Sequence, residues 1–163
     1  MRKQWLKMVL CSSLVATLLA GCGLMGGPTS NRDEQDSEQD YVDSSDASSK
    51  ITLATGNPAV RDLWAQAEQA RKAGDYDNAA LTLERILRIA PDDAVIWSRL
   101  AEIRLMQGNS GQAENLAAKS NSMSLDNPLL NYRNWLIIAR ARKLAGNDVG
   151  AQEAEYTANS FRP

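Results

Sequence analysis

The chain has no histidine, a single phenylalanine and only two cysteines, Cys11 and Cys22, among 163 residues. Without histidine the commonest general base is missing. Nor do Cys, Asp and Glu fall at metal-ligand spacing, and no glycine-rich loop is built to cradle phosphate. No apolar run reaches the about 20 residues a membrane-spanning helix needs, and no stretch alternates like a strand. Past Asn57 the acidic and basic side chains balance, so a concentrated basic face for nucleic acid is lacking as well. Asp92-Asp93 is the one adjacent acid pair in that part of the chain, and it reads as a helix cap. These absences argue against an enzyme, a metal or cofactor protein, a nucleic-acid binder and a small-molecule site.

What is present begins with a leader. Arg2, Lys3 and Lys7 give a positive start, and Met8 to Ala20 form a short apolar core of signal-peptide size. Leu19-Ala20-Gly21-Cys22 resembles the bacterial lipobox. That resemblance implies a signal peptide over residues 1–21, cleavage between Gly21 and Cys22, and a diacylglyceryl thioether on Cys22. The palmitate-type lipid is then the only prosthetic group expected. Cys11 leaves with the leader, so Cys22 has no internal disulfide partner. One acyl chain, at roughly 0.8 kcal/mol per buried methylene, holds marginally, whereas two or three hold firmly. Gly23 follows the cysteine where aspartate would retain a lipoprotein at the inner membrane. In a Gram-negative cell this points to the outer membrane, with the body facing the periplasm.

From residue 22 to 57 the chain is polar, with Tyr41 as its one aromatic residue. Asp33, Glu34, Asp36, Glu38, Asp40, Asp43 and Asp46 oppose only Arg32 and Lys50. Such a segment buries too little apolar surface to offset its ordering entropy, so it is expected to be a disordered tether. Its acids repel one another and extend it. Fully stretched it reaches about 110–120 Å, at roughly 3.3–3.6 Å per residue.

Residues 58–163 repeat. Gly74 and Gly108, Ala67 and Ala101, Ala79 and Ala113, and Leu63 and Trp97 are each 34 apart. The next set, Gly146, Ala139, Ala151 and Trp135, follows at 38. The units run over about 60–93, 94–127 and 128–163. Asn57-Pro58 and Asn127-Pro128 open first helices, Asp92 and Asp93 cap the middle one, and the three glycines end them. Asp75, Asn109 and Asn147 then cap second helices. The paired alanines let two helices close to about 8–10 Å. The four extra residues near Ser124 to Asn131 amount to about one helical turn.

Here the chain resembles the tetratricopeptide-repeat family. "GDYDNAALTLERILRIAP" looks like the second half of a repeat and "WSRLAEIRLMQGNSGQA" like the first half. The resemblance implies an all-α tetratricopeptide-repeat solenoid of three helix-turn-helix repeats whose first helices line a concave face. Ile86 and Ser120 depart from the family's alanine, Leu125 stands in place of proline, and no capping helix follows Pro163. Gln152, Glu153, Glu155 and Asn159 would make the last helix its own polar cap. By the same resemblance the groove would offer Arg61, Trp64, Glu68, Arg71 and Lys72, then Ser98, Glu102, Leu105 and Met106, then Arg133, Leu136, Arg140 and Lys143. An apolar middle with basic flanks would suit a peptide carrying apolar anchors and carboxylates. Ser120, Asn121 and Asn134 sit where repeats prefer small or apolar groups. Buried polar groups need partners, so these three are expected to bond across the second and third units.

Lipidated cysteine, acidic tether and small repeat body together resemble the LpoP-type outer-membrane activators. That resemblance implies a protein partner, a bifunctional class A penicillin-binding protein, whose peptidoglycan synthesis the body stimulates by binding. A pilotin-type or assembly lipoprotein serving a secretin or outer-membrane complex is the other reading of the same features.

Overall fold

The structure is a computed structural model that describes residues 52–124 and 126–163. The leader, the Gly21-Cys22 junction, the tether as far as residue 51, and Leu125 lie outside the described residues. Among the described residues are six helices and no strand. They are α1 (Pro58–Lys72), α2 (Tyr76–Leu87), α3 (Ala94–Met106), α4 (Ser110–Met123), α5 (Pro128–Leu144) and α6 (Asp148–Asn159). Each helix packs on the next, and α3 also packs on α5, which makes three stacked helix-turn-helix units.

The local signals act as their chemistry requires. Asn57 accepts the Ala59 N–H at 3.0 Å ahead of Pro58, and Asn127 accepts the Leu130 N–H at 3.0 Å ahead of Pro128. Asp75 and Asn147 cap α2 and α6 by accepting from the N–H of Asn78 and Gly150. Asn109 departs from expectation, because its side chain makes no capping bond. There the turn closes on backbone instead, with the Ser110 N–H donating to the Gly108 carbonyl at 3.0 Å. Gly74, Gly108 and Gly146 take φ of 75°, 78° and 77°. This left-handed turn lets the next N–H reach back five residues, as Asn109 does to Arg104 O at 2.8 Å. The extra residues of the third unit lengthen helices: α5 has 17 residues against 13 in α3.

The core lies on both sides of α3. One cluster joins Val60, Ala67, Ala79, Leu83 and Ile86 to Ile96, Leu100 and Ile103. The other joins Ala101 and Leu105 to Ala113, Ala117, Ile137, Ile138 and Ala154. Only Met106 of α3 is exposed, so this helix is buried nearly all round. At the other end of the fold α6 exposes Gln152, Glu153, Glu155 and Asn159, together with Val149 and Tyr156.

The folded body starts ahead of its first helix. Leu53 packs against the core. The amides of Ala54 and Thr55 donate to Asp93 Oδ2 at 2.8 and 3.3 Å. Asp93, 3% exposed, uses its other oxygen to accept the Val95 N–H at 3.1 Å and so caps α3. Asp92 is exposed and takes no part in this cap.

Candidate protein-binding face

The first helices α1, α3 and α5 bring charged side chains of all three units together. On α1 the guanidinium of Arg71 pairs with Glu68 at 3.1 Å, one helical turn away. The other oxygen of Glu68 meets Arg99 Nε of α3 at 2.8 Å. Arg99 also pairs with Glu102, and Glu102 in turn pairs with Arg133 of α5. The chain Arg71–Glu68–Arg99–Glu102–Arg133 therefore crosses all three units as one alternating ladder. Arg99 also lies over the Trp64 ring, 5.6 Å from its centroid, where the ring's negative face favours a cation.

Glu102 is the hub. Burial alone would raise its pKa, but the guanidiniums of Arg133, Arg99 and Arg71 outweigh that and hold the carboxyl below its ordinary value. It stays ionised as a fixed acceptor between two repeats rather than a proton donor.

This geometry corrects the expected apolar middle. Leu105 points into the second core cluster, packed among residues of α4 and α5. Arg133 is buried and turned to Glu102, so it is a strut and not an offered cation. Ser98 is fully buried as well. Arg61, Lys72 and Lys143 are exposed along the rim, and Met106 is 48% exposed at the end of α3. Trp64, Arg71, Leu136 and Arg140 are half-buried. The face thus has an ionic spine, exposed lysines at the ends of α1 and α5, and an apolar tip at Met106.

Arg99, the centre of the ladder, was not among the residues picked out by sequence. A signal for it exists: Glu68 precedes Arg99 by 31 residues and Glu102 precedes Arg133 by the same 31. Both acid and base recur with the 34-residue period, and the series ends where Arg140 follows Glu102 by 38.

Behind this face sits a polar cluster joining α3, α4 and α5. Asn134, fully buried, donates to Ser120 Oγ at 2.8 Å and to Asn121 Oδ1 at 2.9 Å. Ser120 donates onward to the Ala94 carbonyl at 2.7 Å. A neighbouring pair was not foreseen: Ser124 and Asn131 bond reciprocally, with Ser124 Oγ donating to Asn131 Oδ1 at 2.5 Å and Asn131 Nδ2 to Ser124 O at 3.1 Å. On the opposite side of α3, Arg104 meets Glu84 of α2 at 2.5 Å, and its repeat-equivalent Arg142 meets Glu114 of α4 at 2.8 Å.

Among the described residues no three His, Cys, Asp or Glu side chains cluster as metal ligands, and no helix is long and apolar enough to cross a membrane. The arrangement presents fixed charges and apolar contacts, which serve recognition.

A family profile described as tetratricopeptide repeat matches residues 70–129. The structure is similar to that of the globular C-terminal domain of P. aeruginosa LpoP, with 36% identity and a TM-score of 0.62, covering 64% of this chain and 99% of that one. It also shares its fold with the Yersinia enterocolitica type III secretion translocator chaperone SycD, at 16% identity and a TM-score of 0.60, over 65% of this chain and 77% of that one. A third likeness is to PcrH, solved in complex with the chaperone binding region of PopB, at 20% identity and a TM-score of 0.59, over 68% and 86%. No curated protein matches the sequence.

Proposed function

Because this chain belongs to the tetratricopeptide-repeat family that includes the globular C-terminal domain of LpoP, we propose that it is a lipid-anchored activator of a bifunctional peptidoglycan synthase. The observation that carries the reading is the 36% identity across 99% of that domain, which is more than shared helical architecture requires. Cys22 carries the lipid in the outer membrane, the acidic tether crosses the periplasm, and the repeat body binds a class A penicillin-binding protein. Activation follows from binding the active conformation of the synthase more tightly than the resting one, so the body contributes coupling energy and no chemistry. Enzyme activity, cofactors and nucleic acid have no part in this reading.

The rim supplies the contacts. Arg61, Lys72 and Lys143 are exposed and steer an acidic partner segment, while the ladder keeps the three first helices in register beneath them. The test is affinity capture with the lipid-free protein, followed by glycan polymerisation with and without it. Recovery of a class A synthase and faster polymerisation support the proposal. Recovery of secretin or barrel-assembly components instead would replace it with the assembly reading. In intact cells, labelled palmitate should mark the wild-type chain and not Cys22→Ser.

A further inference from the structure

The stretch Thr52–Asn57 holds to the body through the Leu53 side chain and two amides, at a revealing place. Leu53 packs on the Val95–Leu130 pair beside Trp64, Ala94 and Leu129, so its side chain sits where α1, α3 and α5 meet. Two successive amides, of Ala54 and Thr55, converge on one oxygen of the buried Asp93. Beyond them Gly56 is exposed, with nothing within 4 Å of where a Cβ would be. One apolar side chain and two backbone N–H groups on a carboxylate are contacts of the kind an extended peptide segment makes. A carboxylate accepting from charge-assisted backbone bonds reads main chain, and the apolar notch reads one side chain.

We propose that the notch formed by Trp64, Val95, Leu129 and Leu130, with Asp93 at its edge, is a docking site for a peptide segment bearing a leucine-like side chain. The chain's own Leu53–Thr55 fills it at rest. The strap is a built-in competitor: a partner segment of the same chemistry takes its place, and the tether is then released from the body. This rests on the protein-binding reading above only for the identity of the displacing partner, since the pocket and its resident plug are independent of it.

Two variants of the full chain test the idea. Leu53→Ser empties the notch, and Ala54→Pro removes the amide that bonds Asp93 at 2.8 Å without touching a side chain of the body. Should Leu53→Ser lose its helical circular dichroism, Ala54→Pro carries the test. If the strap fills the notch in about nine of ten molecules, either variant should tighten capture of the class A synthase by about tenfold. In the second arm, a synthetic peptide of residues 50–57 is added to the Leu53→Ser protein. It should shift the Trp64 indole resonance, and the same peptide with serine at position 53 should not. Equal binding of the two peptides overturns the docking site. Synthase affinity that is unchanged or weaker in both variants overturns displacement. A synthase that binds neither wild type nor variant counts against the synthase reading, and the peptide arm then decides the notch alone.

Discussion

Glu102 touches a guanidinium from its own helix and another from the next repeat, and its worth depends on both. Glu102→Gln keeps the shape and removes the charge that Arg99 and Arg133 share in a largely buried place. The expected loss is about 3 kcal/mol in urea unfolding. Its lowered pKa also fixes the sign of a pH effect. Ionised Glu102 stabilises the fold at and above the ordinary glutamate value of about 4.3, and this stabilisation is lost as pH falls through the folded-state value. The acid limb of wild-type stability should therefore be steeper than that of Glu102→Gln. Asn134→Ala would leave Ser120 and Asn121 without their shared donor, at a cost of about 1–3 kcal/mol by the same measurement. The two clusters were unequally legible. Ser120, Asn121 and Asn134 stood out because polar side chains occupied helix contacts that favour small or apolar ones. Arg99 did not, because a charge on a repeat surface looks like solvation until the offset between neighbouring first helices is known.

At the scale of the helices, punctuation was read well and geometry less so. Proline at the starts of α1 and α5 and glycine after α1, α3 and α5 fix the boundaries through backbone chemistry that acts locally. No steric neighbour lies within 4 Å of a Cβ built on Gly108, so any cost of substitution there is conformational. Gly108→Ala should lose about 1–2 kcal/mol, the price of left-handed backbone, and Gly108→Asn less, since asparagine tolerates that turn. The caps separate in the same way. Asn147→Ala gives up a real bond to Gly150 and should cost about 1 kcal/mol, whereas Asn109→Ala gives up no side-chain capping bond and should cost clearly less in thermal unfolding. By sequence these two asparagines look alike because each follows a glycine; the side-chain bond of Asn147 and the backbone bond from Ser110 beside Asn109 distinguish them.

For the whole molecule, the sequence showed three units and six helices, while the face they build had to be seen. Leu105 and Arg133 occupy groove positions by repeat equivalence, yet packing of α3 against α4 and α5 turns one into core, and the pairing with Glu102 makes the other a strut. On the proposed reading, reach is what the acidic segment ahead of the body adds. Deleting residues 33–46 removes 14 residues, or about 45–50 Å of fully extended chain. Capture of the synthase by lipid-free protein should be unchanged, while stimulation in cells by the anchored form should fall sharply. Equal stimulation by the shortened lipoprotein would show that distance from the bilayer is not what the tether supplies.

The middle helix leads to a last consequence. With core on two sides, an ionic spine on a third and Glu84 gripping Arg104 behind, α3 keeps only Met106 in the open. Among the three first helices, variation acceptable to the fold must therefore gather on α1 and α5. For the experimentalist, fluorophores, epitope insertions and cross-linkers belong on the outer side of α2 or α6, and a library diversified along α3 would mostly return misfolded protein.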